Sequence, residues 1–459
     1  MRRSSILLLC IAGLAALLIA PAAQARKHTP PRKGGKVTLA WPKTTKGTAG
    51  RVPKSALARW LARQVGPTKL KPKKRKTTLP AANVRRSIAA TAASATGAPA
   101  TDAAVATTPN FVPDGAPEKL QLMRSFDIPA DDPAYTRLEN LSFTYDSAIA
   151  AISFTGAKNT AQAAMLLDQL AALQRTDGSL DLAYNTVNGD SARLFRTGTV
   201  AWVGLAAVIY KQETGSKAYD ALANGAAKWI LTQQGTDGLL RGGPDVKWVS
   251  TQNNIIASQF LSQYSGSGQT NFRKQGKIIG EAVSKNLLVD DNHFIQGIDD
   301  NVQPADVQAL GALLLQQQGE KDKANQVLKT MIENDRVGGV SIALSKDLAT
   351  YNMTYQAEGP FTGMRPYAEK DAPDLIWFEW TVQARVAMDR LGFKDPELAA
   401  SMDAWTAVTA PDKQGPLGAS ATASDDRYNE FHVWPASAAG SWLLLQQTKP
   451  SLILPSSGG

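Results

Sequence analysis

Six stretches of the chain begin with polar residues and then carry apolar residues around the whole circumference of a helix. The first runs from Thr144 to Phe154. The other five begin near Thr197, Gln252, Asp306, Trp377 and Ala436. A helix that is apolar on every side is buried in a protein interior. The pattern therefore predicts six buried helices whose starts are polar.

Between these stretches lie helical segments that are apolar on one face only. In residues 159–174, for example, Leu166, Leu170 and Leu173 share a face. Buried and amphipathic helices that alternate at intervals of about 50 to 60 residues are typical of stacked helical hairpins. Six hairpins whose chain ends meet predict an all-α fold, a closed (α/α)6 toroid. Residues 117–141 are the expected outer helix of the sixth hairpin.

Two long loops, residues 336–375 and 411–434, lead into the starts of the last two buried helices. Loops of this length inside a compact domain are usually functional. Because both loops end where the buried helices begin, the sequence predicts one mouth that is formed by loops and polar helix starts together.

The first 25 residues have the pattern of an export signal. A basic start at Arg2 and Arg3 is followed by an apolar run and by Ala23-Gln24-Ala25, which predicts cleavage after Ala25. A retained membrane anchor is the alternative, although the apolar run is short for a span. The protein is therefore expected to be secreted or associated with the cell envelope, without a stable membrane span after cleavage.

Cys10 is the only cysteine, and it lies in this signal. The mature chain therefore has no thiol nucleophile and no cysteine ligand for zinc. The sequence also contains no glycine-rich phosphate-binding loop and no metalloprotease motif. We accordingly expect no metal and no cofactor.

The charge is divided between two regions. The first 90 residues contain 21 of the 50 basic residues and none of the 40 acidic ones, so the rest of the chain has a net charge of −11. The composition of residues 26–110 predicts a disordered basic stalk and linker before a folded domain at 111–459. Such a stalk is expected to bind an anionic polymer of the cell envelope. The alternative is a solvated spacer that has no specific partner. The acidic folded domain argues against nucleic-acid binding.

Seven motifs between Phe111 and Gln447 carry a family resemblance. They are Thr144-Tyr145-Asp146-Ser147-Ala148, Ala183-Tyr184-Asn185, Arg196-Thr197-Gly198, Arg241-Gly242-Gly243-Pro244-Asp245, Gly297-Ile298-Asp299-Asp300, Ala305-Asp306-Val307-Gln308-Ala309 and Trp377-Phe378-Glu379-Trp380. With these motifs the chain resembles the six-hairpin, (α/α)6-toroid group of carbohydrate-active proteins, and in particular secreted bacterial glycoside-hydrolase-like proteins. The resemblance implies a toroid that acts on a polysaccharide or an oligosaccharide.

One motif departs from the pattern of this group. Where relatives often read Ser-Thr-Glu-His-Asn, this chain has Ser250-Thr251-Gln252-Asn253-Asn254. The loss of a carboxylate and an imidazole weakens any acid or base role at this position. It leaves open a non-catalytic, glycan-binding or wall-associated scaffold on the same fold.

Hydrolysis of a glycosidic bond requires two carboxyl groups, one protonated and one ionised. The preferred pair is Asp146 and Glu379, with Asp306 and Asp300 in reserve. The dipole at the helix start favours an ionised Asp146, which suits a base. The apolar surroundings of Glu379 raise a carboxyl pKa and suit an acid.

These carboxyl groups also have structural interpretations. Asp146 and Asp306 are able to cap their own helices. Glu379 is able to form a buried ion pair with Arg196 or Arg365. These alternatives predict a role in stability and none in catalysis.

The loops add further candidates. Asp299 and Asp300 follow a glycine, so a solvated turn is the alternative to a catalytic role. Glu358 is the remaining carboxyl candidate on the predicted mouth. A polysaccharide lyase would instead pair His432 with a tyrosine for β-elimination, although a single histidine is more often structural.

Aromatic rings, amides and arginines on the predicted mouth complete the candidate site. Sugar rings stack on aromatic faces, and arginines hold hydroxyl groups or a uronate carboxylate. The candidate substrate-binding residues are Tyr145, Tyr184, Asn185, Arg196, Arg241, Trp248, Gln252, Asn253, Arg365, Trp380, His432 and Trp434. Core packing is the alternative for the aromatic residues, above all for Trp202. A glycoside hydrolase is thus the expectation, with a glycan-binding scaffold and a lyase as alternatives.

Overall fold

The computed structural model describes residues 54–66, 119–130, 132, 134–266, 269–342, 360–409, 415–424 and 430–455. All of these residues belong to one unit of the chain, Ala49–Gly459. The expected signal peptide at 1–25, most of the expected stalk and Glu358 lie outside the described residues.

Within these ranges the chain forms 13 α-helices. They are α1 (Lys54–Arg63), α2 (Tyr135–Leu138), α3 (Thr144–Gly156), α4 (Thr160–Leu173), α5 (Thr197–Thr214), α6 (Asp220–Leu231), α7 (Thr251–Gln263), α8 (Gln269–Asn286), α9 (Ala305–Gln318), α10 (Lys321–Asp335), α11 (Phe378–Leu391), α12 (Pro396–Thr409) and α13 (Ser437–Thr448). None of them combines the length and the apolar composition that crossing a membrane requires.

Six of these helices form the inner wall of a closed ring. Helices α3, α5, α7, α9, α11 and α13 each contact the next, and α13 contacts α3. All 13 residues of α3 are buried, as its all-round apolar pattern requires. Each inner helix begins within one residue of its predicted start. The (α/α)6 toroid predicted from the sequence is therefore confirmed.

One hydrogen bond recurs at the start of every inner helix. The first N–H groups of a helix have no partner within the helix, and here the first N–H donates to a carbonyl in the following hairpin. The six pairs, donor first, are Thr144–Leu182, Thr197–Gly242, Thr251–Gln296, Ala305–Pro366, Phe378–Gly418 and Ser437–Ser125. The sixth bond returns to the beginning of the domain and closes the ring.

Outer helices cover the ring from outside. Helix α4 packs on α3 and α5, α6 on α5, α8 on α7, α10 on α9, and α12 on α11. Helix α1 packs on α13 and so supplies the outer helix of the sixth hairpin. The expectation that residues 117–141 would provide this helix is wrong, because the described residues there contain only the four-residue helix α2.

Helix α1 also corrects the predicted stalk, because it lies inside the range 26–110. Leu57, Trp60 and Leu61 are buried, and the Trp60 ring lies so close to Gly440 that a Cβ there would come within 2.7 Å of it. Residues 64–66 then pair with residues 122–124 through backbone hydrogen bonds. Three large apolar side chains therefore anchor this segment, although its neighbours in sequence are basic.

In the part of the chain that the structure describes, four short antiparallel strand pairs lie between the helices. They are β1 (Leu141–Phe143) with β2 (Ala183–Asn185), β3 (Leu288–Val289) with β4 (His293–Phe294), β5 (Arg336–Val340) with β6 (Phe361–Met364), and β7 (Ala423–Ser424) with β8 (Glu430–Phe431). Strand β1 runs directly into α3. The pairing of β1 therefore fixes the first turn of α3, where Tyr145 and Asp146 lie.

Candidate active site

Glu379 lies in the first turn of α11 and accepts hydrogen bonds from two side chains. The Tyr145 hydroxyl of α3 donates to Glu379 Oε1 over 2.6 Å, and Gln383 Nε2 donates to the same oxygen over 3.3 Å. Trp442 Nε1 of α13 donates to Tyr145 Oη over 2.7 Å. Three inner helices therefore combine to hold one carboxylate oxygen.

Aromatic packing fixes this arrangement. The rings of Tyr145 and Trp202 meet edge to face with centroids 5.3 Å apart, and Trp202 meets Trp442 in the same way at 6.0 Å. Trp202 is 1% exposed, in agreement with its interpretation as a core residue. Trp442 was not among the candidates from the sequence, because nothing in the apolar pattern of α13 shows that its indole faces Tyr145.

Burial raises the pKa of Glu379 to about 7, while the hydrogen bonds from Tyr145 and Gln383 act in the opposite direction. A carboxyl group that leaves water loses hydration mainly in its charged form, so its proton is held more tightly. The sequence-based expectation of a raised pKa at Glu379 thus agrees with the structure. The alternative, an ion pair with Arg196 or Arg365, is not formed among the described residues, where Glu379 is bonded to Tyr145 and Gln383.

Asp306 occupies the first turn of the neighbouring helix α9. Gln252 Nε2 donates to Asp306 Oδ2 over 2.6 Å, whereas Asp306 Oδ1 has no partner among the described residues. Burial, followed by the negative charge of Glu379, raises the pKa of Asp306 to about 7. The backbone N–H groups of Val307 and Asp306 at the helix start lower it in part.

Asp146 lies in the first turn of α3 and is 4% exposed. Burial, and to a smaller extent the charge of Glu379, raises the pKa of Asp146 well above its usual range, while a hydrogen bond with Ser125 lowers it. Burial thus acts against the ionised form of Asp146 that the helix dipole was expected to favour. Desolvation of a fully buried carboxylate outweighs the favourable dipole at a helix start.

Asp299 and Asp300 lie in a tight turn at residues 297–300, which is closed by hydrogen bonds between the backbones of Gly297 and Asp300. Asp299 is exposed, and Asp300 Oδ1 accepts a hydrogen bond from the Val302 N–H over 3.2 Å. These contacts favour the turn interpretation over a catalytic role for Asp300.

The three candidate arginines make their contacts with residues other than the candidate catalytic carboxyl groups. Arg196 is 3% exposed, donates to Asp245 Oδ1 over 2.8 Å and lies over the Trp248 ring at 5.8 Å. Arg241 is exposed. The guanidinium of Arg365 lies near Asp335 and lowers the pKa of that carboxyl, although burial raises the pKa more strongly. None of these contacts involves Glu379 or Asp146.

Tyr184 and Asn185 have structural contacts on strand β2. Tyr184 is 1% exposed, and its hydroxyl accepts a hydrogen bond from the Asp181 N–H over 3.3 Å. Asn185 Oδ1 accepts from the Val187 N–H over 2.9 Å, which is the pattern of an Asx turn. The first contact ties the residues before β2 to the strand, and the second stabilises the turn that follows it.

The remaining aromatic candidates form two pairs, of which Trp377 and Trp380 flank Glu379 in the sequence. Trp377 and Trp380 are partly exposed and meet edge to face at 6.1 Å. His432 stacks on Trp434 with ring centroids 3.8 Å apart, and its Nε2 lies 3.3 Å from Glu430 Oε2. A lyase would pair His432 with Tyr145 or Tyr184, and Tyr145 is bonded to Glu379.

Comparison with solved structures identifies proteins that share this fold. No protein-family model matches the chain, and no curated protein matches it. Among solved structures, a wild-type glycosidase matches with a TM-score of 0.50 and 12% identity over 82% of this chain and 100% of that chain. A variant described as a glycosidase in complex with glucose gives the same TM-score, identity and coverage. At this identity the likeness shows the fold alone, which is the six-hairpin toroid.

Proposed function

We propose that this six-hairpin, glycosidase-like toroid hydrolyses glycosidic bonds, with Glu379 and Asp306 as the pair of catalytic carboxyl groups. The observation that carries the proposal is the coupling of these two groups. They lie in the first turns of adjacent inner helices, both have a pKa of about 7, and the charge of Glu379 raises the pKa of Asp306.

Coupled carboxyl groups suit this reaction because glycoside hydrolysis needs one protonated and one ionised member. When Glu379 loses its proton, its negative charge makes the loss of the second proton from Asp306 less favourable. Near neutral pH the pair therefore holds one proton between its two members.

The hydrogen bonds of the two carboxyl groups support different roles for them. Tyr145 and Gln383 donate to Glu379 and stabilise its ionised form, so Glu379 is the base or nucleophile. Asp306 Oδ1 has no hydrogen-bond partner among the described residues and is the oxygen that can carry a proton to the leaving group. Asp146, whose pKa burial raises above its usual range, is a further carboxyl group in reserve. This order replaces the sequence-based pair of Asp146 as base and Glu379 as acid.

The substrate class is a glycan outside the cytoplasm, since the first 25 residues have the pattern of an export signal. A polysaccharide of the cell wall or of the surroundings is therefore the proposed target. Trp377 and Trp380 flank Glu379 and offer partly exposed rings for stacking on sugars.

The experiment is a product assay on the mature chain, residues 26–459, which retains helix α1. Release of new reducing ends from a panel of neutral and acidic glycans, without ultraviolet absorbance from unsaturated uronides, is the expected result. Glu379→Gln and Asp306→Asn should each lower kcat by at least about a hundredfold, and Asp146→Asn less. Glu333→Gln and Asp322→Asn change exposed carboxylates of α10 and serve as controls.

A second candidate function is glycan binding without catalysis. It is favoured by one observation, the bond between the Gln252 amide and Asp306 Oδ2, because a catalytic acid is usually left free to move its proton. Glycan binding by a folded sample that releases no product from any glycan would support this scaffold. Absorbance from unsaturated uronides would show a lyase and overturn the carboxylate pair.

A further inference from the structure

Residues 449–454 follow the last inner helix, and we call them the C-terminal segment. Leu452, Ile453 and Leu454 are each at most 7% exposed. The Leu452 side chain lies so close to Gly156, the last residue of α3, that a Cβ there would come within 3.3 Å of it. The segment is therefore packed into the toroid at the carboxyl-terminal ends of the inner helices, whereas the candidate active site lies at their starts.

Two inner helices donate hydrogen bonds to the backbone of this segment. Gln259 Nε2 of α7 donates to the Leu452 carbonyl over 3.0 Å. Arg390, in the last turn of α11, donates from Nη1 to the Ile453 carbonyl and from Nη2 to the Leu454 carbonyl. Helix α9 contacts both α7 and α11 in the ring. The segment therefore bridges the two inner helices that flank α9.

Helix α9 is joined to the same point. Gln316 Nε2, in the last turn of α9, donates to the Arg390 backbone carbonyl over 3.3 Å. Arg390 thus accepts a bond from α9 through its backbone and donates to the C-terminal segment through its side chain. One connected set of hydrogen bonds therefore joins the carboxyl-terminal parts of α7, α9 and α11.

The same three helices carry the candidate active site at their starts, with Gln252 bonded to Asp306 and with Glu379 on the next helix. Residues seven or eleven positions apart lie on one face of a helix, so Gln259 shares a face with Gln252, and Arg390 shares one with Glu379. The paired positions are only about 10 Å and about 16 Å apart along their helices. A tilt or shift at one end of these helices is therefore passed to the other.

The guanidinium of Arg390 suits this position for a geometric reason. Burial lowers the pKa of Arg390 to about 10, so the side chain remains charged at neutral pH. A planar guanidinium presents its donors as a rigid fork and can hold two carbonyls in a fixed arrangement, whereas a lysine has a single donor atom. The fork therefore fixes the path of residues 453–454 relative to α11.

We propose that Arg390 and Gln259 are positioning residues for the candidate catalytic carboxyl groups. They hold the C-terminal segment, and through it they fix α7 and α11 on the two sides of Asp306. The benefit to catalysis rests on the hydrolase proposed above, because a displacement of about 1 Å between reacting groups lowers a rate about a hundredfold. The link between the two ends of the helices rests only on the hydrogen bonds of the segment.

Substitution by methionine removes each donor and retains a side chain that is long and unbranched. Arg390→Met in the mature chain should lower kcat at least about tenfold, and Gln259→Met about two- to fivefold, while KM changes less than about twofold. Arg390→Lys keeps a donor for one carbonyl and should retain more of kcat than Arg390→Met. All rates are measured well below the unfolding temperature of each variant.

The same two helices offer matched controls. Arg385 of α11 is bonded to the exposed Asp389 on its own helix. Gln263 of α7 has an amide nitrogen without a partner among the described residues. Arg385→Met and Gln263→Met therefore repeat the two substitutions without a bond to the C-terminal segment, and both should keep the wild-type kcat.

A second measurement does not depend on activity. Glutamate that carries an isotope label at its side-chain carboxyl reports the titration of Glu379 by nuclear magnetic resonance, and the absence of one signal in Glu379→Gln identifies it. Burial is the main cause of the raised pKa of Glu379. Helices that are held less tightly admit water, so we expect this pKa to fall by about 0.5 to 1 in Arg390→Met.

The outcomes separate the positioning role from the hydrolase. A changed pKa of Glu379 in Arg390→Met, in a protein whose wild type cleaves no glycan, retains the positioning role and rejects the hydrolase. A folded Arg390→Met protein of lower stability that keeps both the wild-type kcat and the pKa of Glu379 shows a purely structural role and overturns the proposal. Where Arg390→Met does not fold, the same two measurements on Gln259→Met decide.

Discussion

At the scale of single residues, the chemistry of Glu379 depends on two successive hydrogen bonds. Trp442 donates to Tyr145, and Tyr145 donates to Glu379. The bond from Trp442 lowers the pKa of the Tyr145 hydroxyl, although burial and the charge of Glu379 raise it more. A more acidic hydroxyl is a better donor, so the indole of Trp442 strengthens the bond that stabilises ionised Glu379.

Tyr145→Phe should therefore move the acidic limb of the pH dependence of kcat/KM to higher pH. Glu379 must be ionised to act as the base, and its pKa of about 7 sets this limb. Without the Tyr145 hydroxyl the pKa rises, and we expect a displacement of about 0.5 to 1 pH unit. Trp442→Phe should give a smaller displacement in the same direction.

Tyr219→Phe is the matched control for these variants, because the Tyr219 hydroxyl is bonded to Asp168 on an outer helix. It should leave the profile in place. An acidic limb that stays unchanged in Tyr145→Phe would show that Glu379 is not the group that titrates in catalysis.

The raised pKa of Glu379 also predicts how stability depends on pH. Between about pH 4.5 and 7 the unfolded chain releases this proton while the folded chain keeps it, so the free energy of unfolding falls as the pH rises. Glu379→Gln removes the free-energy cost of holding an ionised carboxylate in the folded protein. It should therefore stabilise the protein at pH 8 by about 1 to 3 kcal/mol.

Urea denaturation at pH 4.5 and pH 8 measures this effect. The variant and the wild type should differ little at the lower pH, where Glu379 is protonated in the folded wild type and still about half protonated in the unfolded chain. Glu333→Gln, an exposed substitution on α10, should match the wild type at both values. Equal destabilisation of Glu379→Gln at both pH values would contradict the inferred burial of charge.

At the scale of elements, the decisive packing is that of α1 on α13. The carboxyl-terminal helix α13 carries Trp442, and its outer neighbour comes from residues 54–63 at the other end of the domain. Two parts of the sequence that lie almost 400 residues apart therefore form the sixth hairpin together. A chain that begins at residue 111 lacks this outer helix.

Trp60→Ala should reveal the contribution of α1 to stability. The Trp60 side chain is 2% exposed and lies against the glycines at 415 and 440. Removal of a buried indole leaves a cavity and should cost about 3 to 5 kcal/mol in the free energy of unfolding.

Arg59→Ala changes an exposed residue on the same helix and should cost less than about 0.5 kcal/mol. Denaturant unfolding monitored by fluorescence compares the two variants. A Trp60→Ala protein as stable as the wild type would mean that α1 is dispensable for the toroid.

At the scale of the whole molecule, the separation of charge predicts where an anionic polymer would bind. Residues 26–53 contain eight basic residues and no acidic one, and they directly precede α1. Retention of the mature chain on phosphocellulose should fall steeply with salt. A chain that begins at residue 54 keeps α1, and it should elute at clearly lower salt while its glycan cleavage is unchanged.

This comparison tests the stalk separately from the toroid. Equal elution of both chains would leave residues 26–53 as a spacer without affinity for polyanions. A loss of glycan cleavage in the shorter chain would instead tie the basic segment to the candidate active site.

The sequence by itself determined the six inner helices and the carboxyl groups at their starts. An apolar pattern around a whole helix is a local property, and burial follows from it without knowledge of the neighbours. The starts at Thr144 and Thr197 were therefore located to the residue. A ring of six hairpins followed from the number of these helices.

Only the tertiary structure decided which residues act on one another. Residues 54–63 belong to a basic region whose composition is typical of disorder. Only the tertiary structure shows that they form a helix, because this helix is buried against α13. The bonds of Tyr145 to Glu379 and Trp442 join residues that are 234 and 297 positions apart. The order of the carboxyl pKa values depends on burial and on neighbouring charge, both of which arise only when the ring closes.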